Sequence, residues 1–312
     1  MEANGTVIGR LNFMKRLELY KSTKPYSIAI EIENWSGNVP RSNFEKDSKE
    51  IVVANLRGQE GQFTFEKNGF AVLGFNSSMA YEDFANTANL ENIYAQELGT
   101  CLLQYFQATS VRIFSILIRR RHPEFPNIET RRTTQAVQPA SRVHIDATPQ
   151  ALRELMSELE TREGADRHEP RRFIYLNVWK PLRGPLYDWP LAFCDATTVN
   201  QQDLEQHDHI FPSKPNAPSS PGNIVRENQT VYHNPSQRWY YLSGQMPSEL
   251  LLFRQVDSEN NNGMYQRSYC LFSPSRGLPS LHTQAFLIRH SSYPKIRRRA
   301  QLRREKASKR AQ

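Results

Sequence analysis

Short runs rich in β-branched and aromatic residues, each closed by turn residues, recur from Gly5 to Arg289. Such strands bury their apolar sides only by stacking or curling, which confines the chain to a sandwich or barrel. Gly5–Phe13, Tyr26–Ile32 and Glu50–Leu56 begin the series, and Phe63–Glu66 is expected to pair with Gly69–Leu73 across Lys67-Asn68. Val111–Leu117, Arg171–Trp179, Leu191–Cys194, Trp239–Leu242, Glu249–Gln255, Ser268–Phe272 and Leu281–Arg289 continue it. Two stretches have helical spacing instead. Within Ser78–Phe106, Tyr94, Leu98, Leu102 and Tyr105 recur three and four residues apart. Thr148–Glu163 opens with Thr148 as N-cap and Pro149 at the first helical position. Polar Arg119–Ala140 and the Pro-, Ser- and Asn-rich Gln201–Asn228 read as loops. The fold class is therefore mainly β with a helical buttress (α+β).

Composition removes several classes of function. A mean hydropathy of −0.66 and apolar runs no longer than Val111–Ile118 exclude a spanning helix. The three cysteines, Cys101, Cys194 and Cys270, are too far apart for a zinc site or a disulfide framework. No Walker loop, GxGxxG or GxSxG occurs, and no secretory leader is evident, so a cytoplasmic protein is expected. The net charge of +8 suggests nucleic acid until it is located. Nine of the 40 Lys/Arg and one of the 32 acids fall in residues 295–312, so that segment holds the whole excess. The body of the chain is neutral, and nucleic acid is not the expected partner.

The stretch Arg142-Val143-His144-Ile145-Asp146-Ala147-Thr148 carries the chemistry. Residues i and i+2 of a strand share a face, so an imidazole and a carboxylate stand side by side. That is two thirds of a 2-His-1-carboxylate site for non-haem Fe(II). A plainer reading stays open, in which Asp146 serves the helix start and His144 is a satisfied strand histidine. His207-Asp208-His209 also has His-x-His spacing, but it lies in an expected loop. Asn177 and Trp179 share one strand face with Phe173 and Tyr175, flanked by Arg172 and Lys180. With Trp239 and Tyr241 they form a candidate substrate wall, suited to a hydrophobic small molecule with an anionic group.

The order of these motifs resembles the fungal CmcJ/AsaB-like hydroxylase/desaturase family. Leu56-Arg57-Gly58, Val143-His144-Ile145-Asp146, Asn177-Val178-Trp179-Lys180-Pro181-Leu182, Cys194-Asp195, Arg238-Trp239-Tyr240-Tyr241 and Asp257-Ser258 carry the resemblance. It implies a double-stranded β-helix (jelly-roll) core and Fe(II)/2-oxoglutarate chemistry on a natural-product intermediate. It also implies iron on His144, Asp146 and a distal histidine, with a cofactor-anchoring arginine on the next strand. Here the chain departs from the pattern. In the alignment without an insertion, Tyr269 stands at the distal histidine and Gln284 at the arginine. A second alignment makes His282 the third metal ligand and moves the anchor to Arg298 or Arg304.

Three functions follow. The first is an iron- and 2-oxoglutarate-dependent tailoring oxygenase. The second is a non-oxidative cyclase, isomerase or dehydratase that uses Tyr269, His144 and Asp146 as acid–base groups on a scaffold without iron. The third is a binding protein. Expected segments are an α/β extension at 1–120, a catalytic core at 121–292 and a basic tail at 293–312. A homodimer stays open.

Overall fold

The computed structural model describes residues 5–29, 37–122, 139–140, 142–162, 172–212, 223–258, 270–271 and 280–289. Three sheets account for the strands among them. The first runs β1 (Thr6–Met14), β3 (Lys46–Asn55), β11 (Trp239–Tyr241), β8 (Leu191–Cys194) and β13 (Cys270–Leu271). The second runs β2 (Tyr26–Ile28), β9 (Leu204–Phe211), β10 (Ile224–Val231) and β6 (His144–Ile145). The third is antiparallel throughout: β4 (Phe70–Gly74), β12 (Glu249–Asp257), β7 (Arg172–Pro181), β14 (Ser280–Arg289) and β5 (Ser110–Arg119). Residues before 120 contribute strands to all three sheets. The expected mainly β architecture with a helical buttress is what forms.

Strand β7 sits inside the third sheet and is covered on both faces. Ile174, Leu176 and Val178 enter one apolar cluster with Leu250 and Leu252. Alternate residues face the other way, Tyr175 toward Leu152, Met156 and Val256, and Trp179 toward Phe70 and Phe193. Double burial explains why the strand reads as an almost unbroken apolar run.

The first cluster is closed by a helical layer. Helix α3 (Ala95–Phe106) buries Leu98, Leu102 and Phe106, one stripe at four-residue spacing. The expected single helical stretch from Ser78 is in fact divided. A 3-10 turn (Tyr81–Ala85) gives way at Asn86, whose side chain caps the short α2 (Thr87–Asn89). A π-helical turn (Leu90–Tyr94) then leads into α3. Helix α4 (Pro149–Arg162) starts as expected, with Thr148 Oγ1 accepting from the Ala151 amide at 3.2 Å.

Two expectations are corrected. Phe63–Glu66 is not the partner of Gly69–Leu73. Phe65–Asn68 forms the one-turn helix α1, capped by Thr64 and ended by Gly69 at φ +83°. Asn68-Gly69 is a helix stop rather than a hairpin turn, and β4 pairs with β12 instead. Gln201–Asn228 is not one loop, because β9 and β10 pair along eight residues. His207 is the buried position of β9, while Phe211, Ile224 and Val225 are exposed. A strand whose inward residue is polar has no alternating apolar signal to read. The basic tail lies outside the described residues.

Helix α3 supplies the test of this packing. Leu98→Ala should cost about 2–5 kcal/mol of unfolding free energy. Gln104→Ala, exposed on the same helix, should stay within about 0.5 kcal/mol. Urea unfolding of both variants reads the difference, and equal midpoints would contradict the assigned core face.

Candidate active site

The short strand β6 is tethered on both sides. The Val143 amide donates to Asn12 O at 2.9 Å, and the Thr148 amide to Glu227 O at 3.1 Å. Val143 and Ile145 are fully buried. Alternation then sends His144 and Asp146 the opposite way. Their side chains are 28% and 21% exposed, so they are open to a small molecule while the residues behind them are sealed.

Three further elements orient this pair. His144 Nδ1 lies 2.7 Å from Arg142 O, an atom that only accepts, so Nδ1 carries the proton and donates. Nε2 is thereby turned to Asp146 Oδ1 at 3.2 Å. Asn177 on β7 donates its amide to Asp146 Oδ2 at 2.6 Å. The Asp146 amide donates to Gln255 Oε1 at 2.9 Å. Gln255 reaches it because β12 bulges between Arg254 and Val256, which puts one extra residue into the strand. Asp146 also acts on groups around it. Burial first, and the Asp146 charge second, hold the Tyr175 phenol well above its ordinary range. Burial lowers the Arg119 guanidinium, and the Asp146 charge offsets part of that.

This donor set fits a divalent ion. Two donors at right angles, each about 2.1 Å from one ion, lie about 3.0 Å apart. The 3.2 Å between His144 Nε2 and Asp146 Oδ1 is close to that. A ligating histidine normally donates its other ring N–H to a carbonyl, and a ligating carboxylate is itself hydrogen-bonded. Both conditions are met here by Arg142 O and Asn177. Among the described residues no third His, Cys, Asp or Glu joins them.

A family model described as YDMC, oxidoreductase/YMDC permease-like domain, matches residues 11–273. The chain belongs to this oxidoreductase family. Fungal proteins are among its curated relatives. "Hydroxylase/desaturase CTB9" of Cercospora beticola is 29% identical over 239 residues, 73% of this chain and 71% of the relative. "Fe(II)/2-oxoglutarate-dependent dioxygenase nvfI" of Aspergillus novofumigatus is 27% identical over 223 residues, 70% of this chain and 74% of the relative. A solved structure of the iron and alpha-ketoglutarate-dependent endoperoxidase NvfI superposes with a TM-score of 0.74 at 22% identity, covering 91% of this chain and 98% of that one. The core is thus the double-stranded β-helix that the family resemblance implies.

Within the family scaffold the other sequence-selected residues separate. Asn177 reaches the site directly, and Trp179 lies on the same face of β7, buried. Gln284 is the register partner of Asn177, and His282 of Trp179, so β14 brings both positions alongside the site strand. Tyr269 lies outside the described residues. Arg172 does not wait for a substrate anion, since Asp257 holds it in a two-pronged pair at 3.0 and 2.6 Å. Lys180 faces the helical layer, away from Asn177. Trp239 and Tyr241 are core of the first sheet, packed with Phe13, Val53 and Val143. Gln255 and Arg119 were missed. A bulge leaves no mark in periodicity, and an arginine at a strand end looks like ordinary surface.

The His-x-His motif is not a chelating pair. His207 Nδ1 meets Asn228 Oδ1 at 2.7 Å, while His209 Nδ1 meets Ser27 Oγ at 2.9 Å. Burial, then the Arg142 charge, push His207 down to about 4 from the usual 6.5. The unfolded chain therefore takes up this proton first. The resulting stability is complete above pH 6.5 and is lost as pH falls toward about 4. The His207 ring should stay neutral in an NMR titration down to about pH 5, and His207→Gln should flatten the acid limb of the stability curve. A ring titrating near 6.5 would refute its burial.

Proposed function

We propose that the chain is a secondary-metabolite tailoring enzyme that oxidises a hydrophobic natural-product intermediate with Fe(II) and 2-oxoglutarate. The observation that carries this reading is the His144–Asp146 pair, spaced for one ion and oriented by Arg142 O and Asn177. The relatives' names, dioxygenase and hydroxylase/desaturase, support the same chemistry. Iron with bound 2-oxoglutarate would supply the electrons that activate oxygen, the oxidant, toward the substrate. The chain's own residues hold and orient. His144 and Asp146 are the ligands, and Asn177 and Gln255 fix the carboxylate and its backbone. Trp179 forms a dry wall beside them.

The third ligand is assigned to the late strands. The chain makes two of them, a short β13 against β8 and then β14 between β7 and β5. That succession supports the alignment without an insertion, with Tyr269 just before β13 and Gln284 on β14. His282 competes with Tyr269 for the third position. Gln284 is neutral, so the positive charge for a keto acid is assigned to Arg119, already within electrostatic reach of Asp146. The setting is the cytosol, and a homodimer is compatible with it.

Anaerobic Fe(II) and 2-oxoglutarate should give the weak visible charge-transfer band of such complexes. His144→Ala and Asp146→Ala should abolish it. Asn177→Ala should weaken iron binding about 10–100-fold, as loss of an orienting partner does. Loss in Tyr269→Phe or in His282→Ala identifies the third ligand. A wild-type protein with no band and no bound iron would sink the oxygenase reading and leave the non-oxidative acid–base one.

A further inference from the structure

A second pocket lies behind β7. It has a volume of about 230 Å³ and is walled by Phe75, Met79, Tyr81, Phe84 and Leu182, with Ser77 and Ser248 as polar lining. Lys180 forms its inner surface. Even-numbered residues of β7 turn to the helical layer and odd-numbered ones to His144 and Asp146, so the two sites are on opposite faces of one sheet. The mechanism proposed above makes no use of this pocket.

Lys180 is 4% exposed. Among the described residues its ammonium makes no hydrogen bond and no ion pair. It is instead enclosed by rings, 5.3 Å from the Phe75 centroid, 5.2 Å from Phe84 and 5.8 Å from Tyr94. Such contacts are within the range of cation–π attraction, but they do not replace the hydrogen bonds an ammonium loses on leaving water. The nearest acid is already engaged. Glu97 accepts from Ser77 Oγ at 2.6 Å and from the Ser78 amide at 3.0 Å. That capping holds the 77–79 wall in place, and the Phe75 amide bonded to Ser248 O at 2.8 Å holds the opposite one. Arg183 is exposed, stacks on Tyr81 at 3.8 Å and does not line the pocket, so Lys180 is the cation of its wall. The result is a pocket with aromatic and aliphatic walls and a polar rim, lined by one ammonium that makes no hydrogen bond or ion pair among the described residues.

We propose that this pocket binds a small monocarboxylate with an apolar body, its carboxylate on Lys180 and its body between Phe75, Phe84 and Met79. Three features favour that class. The cation is single and deeply buried, which suits one negative charge better than a phosphate. The walls are aromatic and aliphatic. The volume falls below the ~300–1,000 Å³ of sites for drug-sized ligands. Burial also brings the Lys180 ammonium down to about 8, with the Glu97 charge offsetting part of that.

Benzoate is the probe, with benzamide as its neutral counterpart, titrated into the full-length protein by calorimetry at pH 7. Benzoate should bind, and benzamide about tenfold or more weaker, a difference of roughly 1.4 kcal/mol. Lys180→Met should lose benzoate binding about tenfold or more. Ser248→Trp, at an exposed rim position, should do the same by filling the pocket without touching the cation. This second variant keeps the proposal testable even where Lys180→Met fails to fold. His144→Ala and saturating 2-oxoglutarate should leave the affinity unchanged, which separates this pocket from the catalytic face. No benzoate binding, equal benzamide binding, retention in either pocket variant, or loss in His144→Ala would overturn the proposal.

Discussion

Strand β7 is packed from both sides, with Ile174, Leu176 and Val178 against the helical layer and Tyr175, Asn177 and Trp179 against the catalytic face. Side-chain direction alternates strictly along a strand, so a slip of one residue would exchange the two sets. Asn177 would then enter an apolar cluster, and Asp146 would lose its amide partner. An amide buried without a hydrogen bond costs roughly 1–3 kcal/mol. Leaving Val178 against the Asp146 carboxylate would add the cost of a poorly solvated charge. Register in the third sheet is thus fixed jointly by apolar packing on one face and by one polar contact on the other. Ten consecutive cross-strand pairs with β14 carry that register on to the last strand.

The proposed ligand pair is held by distant parts of the chain because its own segment could not orient it. His144 and Asp146 come from a two-residue strand and the position just after it, too short a stretch to be rigid alone. Rigidity is borrowed from Asn12 and Glu227 through the backbone, and from Asn177 and Gln255 through side chains. The bulge in β12 is the local irregularity this requires. It lets Gln255 point at the Asp146 amide while Leu250 and Leu252 keep their places in the core. The Asn177 Oδ1 atom stays buried with no hydrogen-bond partner among the described residues. Buried polar atoms are normally paired, so this one, beside the Asp146 carboxylate, calls for an explanation that the proposed site supplies.

Much of this was legible in the sequence wherever chemistry follows a period. The i, i+2 placement of His144 and Asp146, the face of Asn177 and Trp179, the cap at Thr148 and the Leu98–Leu102 part of the α3 stripe came from spacing alone. Tyr105, expected in that stripe, is exposed, and Phe106 is buried in its place. What spacing cannot carry is which side of a strand meets which neighbour. Lys180 follows Trp179 by one residue and so belongs to the opposite layer. Trp239 and Tyr241 share a face, but that face meets Phe13 and Val53 rather than His144. Polar strands were missed for the converse reason. Leu204–Phe211 buries a histidine where an apolar residue would have announced a strand. Asn68-Gly69 suits a hairpin and a helix stop equally, and only Phe65, buried against Phe106, decides for the helix.

The late strands raise a charge question that geometry answers in part. Gln284, the register partner of Asn177, occupies the position where the family resemblance implies an arginine. A neutral amide can hydrogen-bond a carboxylate but cannot balance its charge. The guanidinium that acts on Asp146 comes instead from β5, the strand on the other side of β14. Arg119 is the register partner of Ser280, so it stands at the same end of the sheet from which β14 enters. A bulge in this pairing, between Gln284 and Ala285, shifts β5 by one residue. Because β5 and β14 are held together along their length, a charge moved from one to the other would still face the same pocket. Its angle of approach would change, and a side chain reaching from the sheet edge would meet an anion less squarely than one from the central strand. Cofactor affinity is therefore the property most sensitive to which of the two strands carries the charge.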